Sequence, residues 1–107
     1  MGANITLTAE DGHSFGAYRA EAAGATKGGI IVIQEIFGVN QHIKNLVDQF
    51  AKDGYVAIAP ALFDRKEKGL ELGYGQEDFG KGRDTRGSLD DDGIQNDVQA
   101  AINDVSG

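Results

Sequence analysis

The sequence predicts an α/β domain in which parallel strands alternate with helices. Four consecutive β-branched residues, Ile30 to Ile33, lie within a strand that we place at 29–34, and such a run is typical of a strand buried on both faces. A helical pattern follows over 41–53, and a second apolar run follows at 55–59. Strand, helix and strand within about thirty residues indicate a βαβ unit with a right-handed crossover.

A hairpin is predicted ahead of this unit. Residues 4–8 and 14–19 alternate along the chain, and Asp11-Gly12 between them is typical of a tight hairpin turn. His13 belongs to that turn, so we expect it to be exposed.

The predicted helix 41–53 has clear boundaries. Asn40 is a favourable N-cap, and Gly54 follows the last turn. Its apolar residues recur at helical spacing and form one face: Ile43, Leu46, Val47, Phe50 and Ala51.

The second half of the chain is less regular. Residues 61–89 are rich in glycine and charge, and a loop of this length is usually functional or contains a short helix that the pattern does not place. A helix is predicted over 90–105. Its predicted apolar face consists of Ile94, Val98, Ala101, Ile102 and Val105. The three aspartates at 90–92 suggest either a cation site or, more simply, a helix N-terminus, where negative charge is favourable.

Composition excludes several classes of function. The chain has 107 residues and a net charge of −7, which argues against a nucleic-acid or anionic-membrane partner. No apolar run approaches the ~18 residues of a membrane span, and no signal sequence is evident, so we expect a cytoplasmic protein. With no cysteine, these residues hold no disulfide, thiolate metal site or cysteine nucleophile.

Four segments carry a family resemblance: DGHSFG at 11–16, QEIFGVN at 34–40, GYVA at 54–57 and APALF at 59–63. The heptapeptide at 34–40 is the specific one. Together they resemble the dienelactone hydrolase family of the α/β-hydrolase superfamily. The resemblance implies the N-terminal part of an α/β-hydrolase fold, an antiparallel β-hairpin and then β-α-β-loop-α, without the strand that carries the nucleophile. It also implies hydrolysis of lactones or carboxylic esters by a Cys-His-Asp triad, with no metal and no organic cofactor.

The resemblance also implies roles for individual residues. Glu35 matches the glutamate that takes part in converting the catalytic thiol to its thiolate, and the Ile36 N–H matches an oxyanion-hole donor. Phe37 is expected to help wall the pocket, and either Arg83 or Arg86 to meet a substrate carboxylate. Simpler interpretations are that Glu35 only terminates its strand, that Phe37 is a core aromatic, and that both arginines are solvated surface charges.

The sequence contains no Gly-x-Cys-x-Gly motif. Ser14 stands between Gly12 and Gly16, but it lies in the predicted hairpin and lacks the strand-to-tight-turn context of an elbow that presents a nucleophile. We therefore expect residues 1–107 to form a single incomplete domain that is inactive alone, whether as a truncated chain, a fragment or a natural short product. Two functions stay open. The chain is either one part of an ester or lactone hydrolase, or a non-catalytic module that binds a small ligand or a protein.

An incomplete sheet also predicts self-association. The strand at 55–59 is expected to lie near the absent nucleophile strand, leaving apolar surface and an unpaired edge exposed. We therefore expect the 107-residue chain to self-associate, either by exchange of an element between chains or by edge pairing.

Overall fold

The computed structural model describes residues 2–106 and contains one mixed four-stranded sheet with strand order β1-β2-β4-β3. The elements are β1 (Ala3–Thr8), β2 (Ser14–Ala20), β3 (Gly29–Ile31), α1 (Gln41–Lys52), β4 (Val56–Pro60), a 3₁₀ helix (Leu62–Arg65), α2 (Gln76–Gly87) and α3 (Asp91–Ser106). The fold class predicted from the sequence is confirmed.

The pairing of the strands explains this order. β1 and β2 form the predicted antiparallel hairpin, and β2 continues antiparallel onto β4. β3 pairs with β4 in parallel, with Gly29 opposite Val56 and Ile31 opposite Ile58. Helix α1 is the crossover between these two strands, so the predicted βαβ unit is present.

The central strand β4 supplies the core on both faces of the sheet. Ala57 and Ala59 lie in the apolar cluster built around α1, which includes Ile43 and Val47. Ile58 lies in the cluster on the opposite face, where it meets Ala101 of α3. Since alternate side chains of a strand point to opposite faces, this one strand holds both helical layers to the sheet.

β3 is shorter and more exposed than the sequence predicts. The strand ends at Ile31, and Ile33 is 51% exposed, so burial of the whole run on both faces is wrong. The reason is position. β3 is one of the two outer strands of the sheet formed by residues 2–106, and its chain leaves the sheet into a turn directly after Val32.

Helix α3 is present as predicted, and its buried face agrees with the predicted one in part: Ala101 is buried, and Val105 packs against the same cluster. Its buried residues are Gly93, Asp97 and Ala101, whereas Ile102 is 38% exposed. The Asp97 carboxylate accepts two hydrogen bonds of 2.9 Å from the Arg65 guanidinium, one from Nε and one from Nη2. A buried charge requires such a partner, and the bidentate geometry provides it.

Arg65 also reaches the hairpin turn, because its Nη1 lies 2.9 Å from Oδ2 of Asp11. One guanidinium therefore connects three separate segments of the chain. The hydrogen bonds to Asp97 and Asp11 raise the pKa of Arg65. The hydrogen bond from Arg65, and then that from the His13 backbone N–H, lower the pKa of Asp11 below its ordinary value of 3.8.

His13 lies in the same turn, and the prediction that it is exposed is wrong. It is half-buried and stacks on Phe15 with ring centroids 5.8 Å apart, because the start of β2 folds back beside the turn.

None of the helices within residues 2–106 is long and apolar enough to cross a membrane.

The free parallel edge of the sheet belongs to β3 and not to the strand at 55–59. β4 is paired on both sides, with β2 and with β3. The Val32 N–H donates to Ile58 and the Gly28 carbonyl accepts from Val56, so the intervening Gly29 and Ile31 direct their backbone groups away from β4. No strand within residues 2–106 pairs with these groups.

Arg65→Met should destabilise the fold by about 3 kcal/mol, because it leaves the fully buried Asp97 carboxylate without its partner. The free energy of unfolding from urea denaturation measures the loss. Lys81→Met, which removes an exposed pair with Glu67, is the control and should cost less than about 1 kcal/mol. Equal losses in the two variants would contradict the structural role of Arg65.

The lowered pKa of Asp11 predicts a pH dependence. The carboxylate is favoured in the folded state, so its contribution to stability is present above about pH 4 and lost as the pH falls through the folded pKa. Asp11→Asn should flatten the fall in unfolding free energy between about pH 4 and pH 2. In an Arg65→Met background the same substitution should have little effect on that slope; an unchanged effect would show that another group lowers the pKa.

The free edge of β3 predicts self-association with a second copy of this chain. Sedimentation velocity should show a mass that rises with concentration, and Ile33→Lys, next to that edge, should shift the equilibrium toward monomer. Leu46→Lys places the same charge on an exposed position of α1 and should leave the association unchanged. A wild-type chain that stays monomeric at millimolar concentration would contradict this prediction.

Candidate active site

A tight turn follows β3 and carries the predicted site residues. The Gly38 N–H donates to the Glu35 carbonyl at 3.3 Å, which closes the turn. Gly38 has φ +82, and a Cβ there would overlap the Leu70 carbonyl oxygen. Only glycine combines that backbone conformation with that close approach. The Leu72 N–H donates to the Phe37 carbonyl at 2.8 Å and connects the turn to the segment before α2.

Gln34 joins the ends of the two parallel strands. Its Oε1 accepts a 2.9 Å hydrogen bond from the Leu62 N–H, directly beyond β4, and its Nε2 donates to the Glu35 carbonyl at 3.2 Å. The carboxyl ends of parallel strands are where ligands bind in open α/β sheets. Gln34 therefore holds the two sides of that edge together.

Asn40 holds the other end of the turn in place through two side-chain hydrogen bonds. Its Oδ1 accepts from the Ile43 N–H as the N-cap of α1, as predicted, and its Nδ2 donates to the Tyr74 hydroxyl at 3.1 Å. Tyr74 also contacts Phe37 edge to face, with ring centroids 4.6 Å apart. Tyr74 lies in the irregular segment, where nothing in the sequence pattern indicates this role.

A cavity of about 230 Å³ opens beside the turn, at the carboxyl ends of β3 and β4. It is lined by Ile33, Gln34, Glu35, Ile36, Leu62, Phe63, Arg86, Leu89 and Ile94. Most of this lining is apolar, and the charged groups among these residues are Glu35 and Arg86. A mostly apolar pocket with a few convergent polar groups is typical of a small-molecule site.

The structure separates the two candidate arginines. Arg86, in the last turn of α2, lines the cavity together with Glu35. Arg83 is not among the lining residues; its side chain is 70% exposed, with Nε 3.8 Å from Oδ1 of its neighbour Asp84. Of the two, Arg86 is therefore the one that lines this cavity.

Ile36 and Phe37 have different surroundings. Ile36 is half-buried at the cavity, and within residues 2–106 its backbone N–H donates to no other group. Phe37 does not line the cavity; it packs against Tyr74 and, with centroids 6.4 Å apart, against Phe79 of α2. The turn thus contains a backbone N–H without an acceptor within residues 2–106, in a residue that lines the cavity, and it places an aromatic ring against α2.

A second depression, of about 160 Å³, lies between β2, α1 and the segment at 69–71. Its charged groups have partners within the chain. Lys44 lies 3.3 Å from Glu71, and the Asp64 carboxylate accepts from the N–H groups of Gly16 and Gly69. The cavity beside Glu35 is the better candidate site.

The acidic run at 90–92 has a structural role in α3. Oδ1 of Asp90 accepts a 2.6 Å hydrogen bond from the Gly93 N–H, in the manner of a helix cap. Among the residues that the structure describes, no group of three or more acidic or histidine side chains is arranged to hold a metal ion.

The family of the chain follows from comparison with known sequences. The sequence model of the dienelactone hydrolase family matches residues 15–106. The chain belongs to the dienelactone hydrolase family. This is a hydrolase-type family built on the α/β-hydrolase fold.

Individual relatives agree with the family. A Synechocystis sp. protein provisionally assigned as a carboxymethylenebutenolidase is 47% identical over 73 residues, which cover 68% of this chain and 30% of the relative. The carboxymethylenebutenolidase of Pseudomonas putida is 38% identical over 68 residues, 64% of this chain and 29% of the relative.

The fold comparison extends over nearly the whole chain. A crystal structure of a provisionally assigned dienelactone hydrolase from Klebsiella pneumoniae superposes with a TM-score of 0.70 at 29% identity, covering 98% of this chain and 46% of that one. The matched regions thus span about 30% of the length of these curated relatives, and the chain spans under half of the solved structure.

Proposed function

We propose that this chain supplies one side of a site that hydrolyses lactones or carboxylic esters. The observation that carries the proposal is the cavity at the ends of β3 and β4, which Glu35, Ile36 and Arg86 all line. A binding module alone requires only the apolar walls and the arginine. A free backbone N–H beside a carboxylate is better explained by acyl transfer, which needs both a proton acceptor and an oxyanion donor.

The nucleophile comes from outside these residues, since the chain contains no cysteine. In the proposed reaction a thiolate sulfur bonds to the ester carbonyl carbon, and the carbonyl oxygen becomes an oxyanion. The bond to the leaving oxygen then breaks and that oxygen takes up a proton. Water cleaves the resulting thioester, which releases the acid and regenerates the thiol.

Glu35 and Ile36 have separate roles in this scheme. A carboxylate beside the thiol accepts a hydrogen bond from the S–H group in the resting site. When substrate enters, the proton moves from sulfur to the carboxylate, and the thiolate is left to attack. The Ile36 N–H donates to the oxyanion, and its lack of another acceptor within residues 2–106 supports that assignment. Gln34 keeps both groups in place through its hydrogen bonds to Leu62 and Glu35.

Arg86 would select the substrate. A guanidinium matches a carboxylate with two parallel hydrogen bonds, so an arginine at the cavity favours an ester that also carries a carboxylate. The Pseudomonas putida relative is named as a carboxymethylenebutenolidase, and that name describes a lactone with a carboxymethylene group. We extend the same substrate class to this chain as a proposal.

A chimera tests the proposal. Residues 1–107 are joined to the part of the Synechocystis sp. relative that follows its matched region, and turnover of 4-nitrophenyl esters is measured. We expect hydrolysis by the chimera and none by the 107-residue chain alone. Glu35→Gln in the chimera should lower kcat/KM roughly a hundredfold, because the group that manages the thiol proton is lost.

Glu77→Gln is the matched control, since it removes the same charge from an exposed position of α2 and should leave kcat/KM unchanged. A folded chimera without esterase activity would contradict the hydrolase proposal and favour a binding module. Hydrolysis by the unmodified chain alone would contradict the external nucleophile.

A further inference from the structure

Helix α2 meets the site turn through a backbone contact. Gly82 is the buried residue of this helix, and its Cα lies directly against the peptide group of Ile36. A methyl group at Gly82 would overlap the Ile36 carbonyl oxygen and lie 2.9 Å from its carbonyl carbon and 3.3 Å from Cδ1 of Leu72. Two of these atoms belong to the backbone, which cannot swing aside as a flexible side chain can.

Space, and not backbone conformation, is what requires glycine here. Gly82 is not among the glycines with positive φ, and alanine is the better helix former. Gly80, two residues earlier in the same helix, has no atom within 4 Å of the position where a Cβ would lie. The restriction at Gly82 is therefore local to the contact with Ile36.

The same face of α2 carries the other contacts with the site. Phe79, Gly82 and Arg86 are spaced i, i+3 and i+7 and so lie on one side of the helix. Phe79 packs toward Phe37, Gly82 toward Ile36, and Arg86 lines the cavity with Glu35. The close approach of α2 at Gly82 therefore sets the position of the Arg86 backbone relative to the turn after β3.

We propose that Gly82 is a positioning residue that sets the distance between Arg86 and the turn carrying Glu35 and Ile36, and thereby the preference of the site for carboxylate-bearing esters. This inference rests on the proposed function. A methyl group at position 82 would push α2 outward by about 1 Å or more to restore van der Waals separation. A displacement of that size is enough to weaken the paired hydrogen bonds between the Arg86 guanidinium and a substrate carboxylate.

The first measurement concerns the geometry alone. In the ¹⁵N-labelled 107-residue chain, Gly82→Ala should shift the amide signals of Ile36 and Phe37 and weaken the cross-relaxation between position 82 and the Leu72 methyl groups. Gly80→Ala is the matched control and should leave these signals in place. Loss of helical shifts over 76–87 in Gly82→Ala alone would support the same requirement for glycine.

The second measurement concerns selectivity. Monomethyl succinate, which carries an ester and a carboxylate, and dimethyl succinate, which is neutral, are titrated into each variant and followed by the same amide signals. The wild-type chain should prefer the monoanion by about tenfold in Kd, the size of one charge-assisted hydrogen bond. Arg86→Met should abolish the preference, Gly82→Ala should reduce it to about twofold, and Gly80→Ala should retain it.

The outcomes separate the two proposals. A wild-type chain without preference for the monoanion would overturn the carboxylate-binding role of Arg86 and with it the selective role of Gly82. A preference that depends on Arg86 but survives Gly82→Ala would overturn the inference about Gly82 and leave the proposed function intact. Unchanged Ile36 and Phe37 signals in Gly82→Ala would overturn the close approach itself.

Discussion

Parallel pairing of β3 with β4 is the constraint on which the candidate site depends. Three residue pairs, from Gly29–Val56 to Ile31–Ile58, bring the carboxyl ends of both strands to one edge of the sheet. The turn after β3 and the 3₁₀ helix after β4 then face one another across the cavity, and Gln34 connects them through Leu62. Antiparallel pairing would have placed these two strand ends at opposite edges.

The surrounding structure supports this edge by two different kinds of interaction. Below the site, small and apolar side chains of β4 allow α1 and α3 to pack closely on either face. Beside it, the Arg65 guanidinium satisfies the buried Asp97 carboxylate and also reaches Asp11, so that α3 and the hairpin both contact the segment directly after β4. Of these two elements, α3 contributes the apolar Ile94 to the cavity lining, and the hairpin contributes no lining residue.

Much of this arrangement could be predicted from the sequence where local chemistry is strong. The Asp11-Gly12 turn, the Asn40 cap and the apolar runs around 41–53 each have short-range signals. Glu35 and Ile36 were proposed through the family resemblance of the heptapeptide at 34–40, and both line the cavity. Helix α2 lacks such a signal, because its buried residue is a glycine and hydrophobic periodicity cannot reveal a backbone contact. The burial of Asp97 could not be predicted either, because its partner Arg65 lies 32 residues away along the chain.

The few buried contacts of α2 also affect how the candidate site can change during evolution. Strand β4 is buried on both faces, so mutations there disturb two helical layers at once. Helix α2 buries a single residue, and most of its other positions face solvent. Substitutions at the exposed positions of this helix can therefore change the side chains beside the cavity at little cost to folding. Selection can act on the substrate preference of the site through α2 without disturbing the core.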